Sequence, residues 1–189
     1  MEIWQIVLIV VGVILFLGFV VLVWYISTLN NFRRMVVKID ESESSIDVAL
    51  TKRFDLLTKM VAATKGYTKH EQETLEKVIA MRKPATGATM AQKTEFANEL
   101  TKGLSAINVV VEQYPTLKAD STFLKLQDAS AEVEENLQAT RRFYNSNVRI
   151  YNSAIIVFPG NIVAKGRGFT PRDFFEAEAA KKEDVKFDF

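Results

Sequence analysis

The chain has 189 residues, with 24 Lys plus Arg against 23 Asp plus Glu, a single histidine and no cysteine. Balanced charge gives no global field to attract nucleic acid. Without cysteine there are no disulfides, thiol nucleophiles or thiolate metal sites, and His70 alone leaves little scope for zinc or a histidine-based triad. No catalytic, cofactor-binding or metal-binding residue is therefore assigned, and no small-molecule substrate is expected.

Ile6 to Ile26 carry no charge and no strongly polar side chain. At about 1.5 Å per residue this run reaches about 31 Å as a helix, enough to cross the hydrocarbon core of a bilayer. A signal peptide would begin basic, be shorter and end in small residues. This run follows Met-Glu and ends Trp24-Tyr25-Ile26-Ser27-Thr28. Trp4 at one end and Trp24 and Tyr25 at the other fit the aromatic preference for the two membrane interfaces. The cations Arg33, Arg34 and Lys38 all follow the run, so the positive-inside rule puts the N-terminus outside and the rest in the cytoplasm. The expected organisation is a tail and transmembrane helix over 1–28, a helical bundle over 29–158, and a C-terminal loop, short helix and extended tail over 159–189.

All four prolines, Pro84, Pro115, Pro159 and Pro171, fall where apolar periodicity breaks. In the first stretch Ile39, Ile46, Leu50, Leu57, Met60, Val61 and Thr64 share a helical face. With no proline or glycine between Phe19 and Lys65, this helix can run on from the transmembrane segment. Gly66 is a candidate kink, after which Leu75, Val78 and Ile79 continue the stripe. Lys83 to Thr89 reads as a loop.

A second helix is expected from about Met90 to Tyr114, with Phe96, Leu100, Leu104, Ile107, Val111 and Tyr114 in line. Pro115 stops it, because a residue before proline avoids helical geometry. Asp120 offers an N-cap for a third helix. Its seam is Leu126, Val133, Leu137, Tyr144, Val148, Tyr151 and Ile155, and its end is expected at Phe158-Pro159-Gly160. Long helices of this spacing joined by short loops make an all-α, antiparallel up-and-down bundle.

Beyond Pro159, Gly160, Gly166 and Gly168 are read as loosening the chain. Thr170-Pro171-Arg172-Asp173 has the composition of a helix start, giving a short helix through Ala180 that buries Phe174 or Phe175. Val185 to Phe189 alternates like a half-buried strand.

Several stretches resemble the LemA family of bacterial membrane proteins. They are Ile46-Asp47-Val48-Ala49-Leu50-Thr51-Lys52-Arg53-Phe54-Asp55-Leu56-Leu57 with Gly66-Tyr67, Tyr114-Pro115 through Asp120 and Phe123, Arg141-Arg142-Phe143-Tyr144-Asn145, Tyr151-Asn152, Phe158-Pro159, and Gly168-Phe169 through Phe174-Phe175 to Val185 and Phe187. Departures are Leu57-Thr58-Lys59-Met60-Val61, where the family usually has Ile-Pro-Asn-Leu-Val, and Glu135-Asn136-Leu137-Gln138, where it usually has Glu-Asn-Arg-Ile. The resemblance implies a membrane-anchored helical bundle in the bacterial inner membrane, no established catalytic activity, and relatives connected with membrane organisation.

The densest polar cluster is Tyr144-Asn145 with Tyr151-Asn152. Its rings are expected in the core, with hydroxyls and amides satisfying buried polar groups; a binding stripe is the alternative. Arg53, Asp55 and Asp47 are expected to form interhelical ion pairs, and Glu132, Glu134 and Glu135 a solvated face. His70 is read as a surface residue, and Lys165 and Arg167 as an ordinary basic loop within reach of phospholipid headgroups. Phe187 and Phe189 are candidate partner-binding residues, through strand addition or recognition of the tail; packing of both rings against the bundle is the equal alternative.

Two functional expectations follow. One is a non-enzymatic scaffold, homo-oligomeric and bound to the lipid bilayer, that organises membrane. The other is an adaptor presenting its bundle or tail to a membrane-protein partner such as a protease or signalling enzyme.

Overall fold

The computed structural model describes residues 2–64, 84–85 and 87–176. The candidate kink at Gly66, the stripe through Leu75 to Ile79, His70, and the tail with Phe187 and Phe189 lie outside these residues. Within them the chain is all-helical, a long N-terminal apolar helix leading into an antiparallel bundle.

Helix α1 is unbroken from Ile3 to Thr64, as the lack of proline predicts. Its first part is apolar all round and exposed on every side, and no residue of the most apolar window is covered by protein. Further on the character changes to one buried stripe. Every position expected on that stripe, from Ile39 to Thr64, is buried.

Helix α2 spans Met90–Gln113 and opens on a reciprocal capping box, in which the Gln92 amide N–H donates to the Thr89 hydroxyl and the Thr89 N–H donates to the Gln92 side chain. Gly87 turns the chain into this cap at φ +85°, a conformation glycine adopts without steric cost. Before Pro115, Tyr114 leaves helical geometry at φ −121°, ψ 86°. A single turn, α3 (Pro115–Lys118), then leads to Asp120, whose carboxylate accepts from the amides of Thr122 and Phe123. That cap starts α4, Ser121–Ile156.

The backbone beyond Pro159 departs from expectation twice. Gly160–Arg167 is a helix, α5, and not a loosened loop. Gly168, at φ +71°, ends it in left-handed geometry while the Phe169 amide returns to the Ala164 carbonyl, so this glycine is a helix stop. Gly160 answers a close approach, since a Cβ there would lie 2.7 Å from the Ala154 carbonyl oxygen and 3.3 Å from Phe32. The second departure is that residues 169–176 are extended, so Thr170-Pro171 starts no helix.

The chain forms two compact units. The first comprises Met1–Asp40 and Asn147–Arg172, the second Glu41–Ser146 and Asp173–Phe189. In the first, Phe32, Val148, Tyr151, Ile155 and Val163 are buried, and Phe32 meets Phe169 edge-on at 5.4 Å between ring centroids. In the second, Ile46, Leu50 and Leu57 of α1, Phe96, Leu100 and Ile107 of α2, and Leu137 and Tyr144 of α4 are buried, together with Phe175 of the extended segment. Each such side chain contributes about 1.5–3 kcal/mol of apolar burial, set against the entropy of ordering the chain.

Candidate functional site

Two charged crossings sit in the second unit. Arg53 of α1, only 6% exposed, donates to the Ala97 carbonyl at 3.2 Å and the Thr101 hydroxyl at 3.1 Å on α2. It also lies 2.8 Å from the Glu134 carboxylate on α4, which in turn accepts from Gln138. Burial pulls the guanidinium below its ordinary range and Glu134 opposes that pull, so one cation joins three helices. Lys93 of α2 lies 2.8 Å from Glu43 and 2.8 Å from Asp47, both on α1. Burial alone would lower its ammonium, but hydrogen bonds to Asp47 and Glu43 together with the attraction of their charges outweigh burial and hold it above the usual lysine range.

Interhelical ion pairing of Arg53 and Asp47 thus follows the sequence reading. Asp55 is exposed and makes no ion pair among the described residues. Glu134 corrects the reading of a uniformly solvated acidic face, because it turns inward to Arg53, while Glu132 and Glu135 remain exposed.

The polar-aromatic cluster on α4 clasps the extended segment. In the first unit Tyr151 donates its hydroxyl proton to the Thr170 carbonyl at 3.0 Å. Asn152 donates to the Arg172 carbonyl and accepts from the Arg172 amide, both at 2.9 Å. In the second unit Tyr144 donates to the Asp173 carbonyl at 2.9 Å, and Asn145 exchanges a reciprocal pair with Phe175 at 3.0 and 2.9 Å. Each asparagine presents its amide as a neighbouring strand's peptide would, so an extended chain finds its partners without a sheet.

The register has a simple origin. Tyr-Asn recurs at seven residues along α4, and the clasped groups recur at three along the extended segment. Seven helical residues rise about 10.5 Å, and three extended residues about 10 Å. The tyrosine rings are buried as expected; the extended partner is what the sequence reading missed. Its signals are Pro171, which needs no donor partner, and Phe175, whose ring is buried beside the clasp.

Among the residues assigned to a membrane interface, Trp4 is exposed, Trp24 and Tyr25 are half-buried, and Arg33 and Arg34 are exposed. The Tyr25 hydroxyl accepts from the Arg167 side chain at 2.7 Å, and the guanidinium stands 5.7 Å over the tyrosine ring. Among the described residues no group of His, Asp and Glu is placed to hold a metal ion. Two clefts of about 330 and 350 Å³ are lined by Ser44, Ser45 and Asn136 in the second unit and by Asn31, Arg34 and Asn147 in the first. Neither brings a nucleophile together with a base.

These features define a helical protein with, among the described residues, one candidate membrane-spanning helix and a strap clasped by side chains of α4. Residues 42–189 match the model of the LemA family, and the chain belongs to that family. It is 29% identical to Protein LemA of Metamycoplasma hominis over 85% of this chain and 74% of that protein. It is also 31% identical to magnetosome protein MamQ 2 of Paramagnetospirillum magneticum and 27% identical to MamQ of Magnetospirillum gryphiswaldense. Each of these matches covers 41% of this chain and 28% of the relative. None of these proteins is named for a catalytic activity.

Two outcomes are expected. Asn145→Leu removes both bonds to Phe175 and costs about 2 kcal/mol in denaturant unfolding. Amide exchange at Phe175 accelerates in the leucine variant. The second outcome concerns alkaline pH. Burial raises the Tyr151 phenol, partly opposed by Arg172, and Lys93 is also raised. Folded values above unfolded ones mean these contributions are complete below about pH 10 and are lost as pH climbs through the folded values. The unfolding midpoint therefore falls above about pH 10, and Lys93→Met makes that fall shallower.

Proposed function

We propose that this chain is a non-enzymatic single-pass protein of the bacterial inner membrane whose helical bundle self-assembles as a scaffold for membrane organisation. The observation that carries this reading is α1, in which an uncovered apolar run long enough to span a bilayer continues as the first helix of the bundle. Lateral assembly of such units would gather lipid and neighbouring proteins into a defined patch. The names of the magnetosome relatives support a connection with membrane compartments. Arg33, Arg34 and Lys38 support an outside N-terminus with the bundle in the cytoplasm.

The test is the mass of the full-length protein in mild detergent by light scattering. A scaffold gives a defined multiple of 21.4 kDa after the detergent contribution is subtracted. A monomer at every concentration contradicts self-assembly and leaves an adaptor, with the bundle or the tail carrying Phe187 and Phe189 as the surface for a membrane-protein partner.

A further inference from the structure

In the first unit the turn between α4 and α5 is unusually apolar for an exposed segment. Ile156, Val157 and Phe158 are 65%, 59% and 75% exposed, and Ile162 is 60% exposed. The Asn161 amide bonds back to the Val157 carbonyl, folding the start of α5 onto this turn. Four large apolar side chains together at a helix end make a patch that asks for an occupant.

Contacts made by three α1 residues of the same unit, Lys38, Phe32 and Tyr25, fix its level along that helix. The Asn147 side chain donates to the Lys38 carbonyl at 3.4 Å. From there α4 runs antiparallel to α1, so nine residues on, about 14 Å by helical rise, Ile156 stands level with about Leu29. The apolar run ends at Ile26. Phe32 borders the Cβ position of Gly160 at the start of α5 and packs on Phe169 just after its end, so this short helix crosses α1 there and does not follow it. Finally, Arg167 is bonded to Tyr25, within the last turn of the apolar run.

We infer that the α4–α5 turn is a second membrane contact, with Ile156, Val157, Phe158 and Ile162 entering the lipid interface beside the transmembrane helix and Lys165 and Arg167 facing anionic headgroups. The occupant is the bilayer because the patch sits at the height where the spanning segment leaves it. An apolar turn flanked by exposed cations has the composition of an interfacial anchor. Lys165 and Arg167 also lie in the last turn of α5, where positive charge favours the helix dipole, so binding headgroups does not oppose the fold.

The inference rests on α1 spanning the membrane, and its test separates the two. Single-tryptophan forms of the full chain (Trp4→Phe, Trp24→Phe) carry Phe158→Trp, Ile162→Trp, Phe16→Trp or Val37→Trp. Each is reconstituted in vesicles of phosphatidylcholine and phosphatidylglycerol with brominated acyl chains. Expected is strong quenching at 16, quenching at 158 and 162 several-fold above that at 37 and strongest with bromines near the headgroup, and no change when lipid dilutes the protein.

If 16 is quenched while 158 and 162 match 37, the inference is overturned and the anchor stands. If 16 also is unquenched, both fall. If 158 is shielded from aqueous acrylamide but not quenched by lipid, and dilution with lipid exposes it, the occupant is a second copy of this chain, which equally overturns the inference.

Discussion

From Ile3 to Val23 α1 exposes large apolar residues on all sides, whereas from Ile39 to Thr64 it buries one apolar stripe and leaves Val48 exposed on another face. One continuous helix must therefore satisfy two surroundings, and the remaining elements answer its second half. In a hydrocarbon surrounding, which the apolar run is long enough to cross, a helix bonds every backbone polar group internally, so uniform apolarity is sufficient. In the aqueous part a single face must be covered. Arg53 in the middle of that face shows the cost of coverage, since its buried charge needs the Ala97 carbonyl, Thr101 and Glu134 together.

The C-terminal strap poses the opposite problem. An extended segment with no neighbouring strand among the described residues has donors and acceptors that need partners, and the helix beside it has already consumed its own. Side chains close the gap. Asn145 and Asn152 imitate a peptide edge, and Tyr144 and Tyr151 add a donor from rings that are themselves core. Because seven helical residues match three extended ones in length, a heptad repeat can grip a strap repeatedly without strain. Substitution at one clasp is expected to act chiefly on its own bonds.

Much of this was legible in the sequence. Apolar spacing marks the buried face of α1 residue by residue, and Asp120 and Pro115 mark helix boundaries, because these signals act within one helical turn. Beyond Pro159 local signals pointed the wrong way. Thr-Pro-Arg-Asp has helix-start composition, but the Thr170 and Arg172 carbonyls are taken by α4 side chains distant in sequence, and tertiary bonding decides the conformation. Gly160 and Gly168 read as flexibility, whereas one answers a steric approach and the other a left-handed helix stop. The inward turn of Glu134 was equally hidden, since only the opposing Arg53 distinguishes it from its exposed neighbours Glu132 and Glu135.

If α1 passes without interruption from lipid into a buried stripe, as proposed, its two halves carry different accessibility patterns. Because the chain has no cysteine, single cysteines introduced from Phe16 to Val61 can be spin-labelled one at a time in the reconstituted protein. Collision with oxygen and with a water-soluble nickel chelate then reads each surrounding. Expected are oxygen-rich, chelate-free labels on every face up to about Ile26, then chelate accessibility with helical period and minima at Ile39, Ile46, Leu50 and Leu57. Chelate access across the apolar run, or loss of the helical period between Ser27 and Ile39, would contradict it.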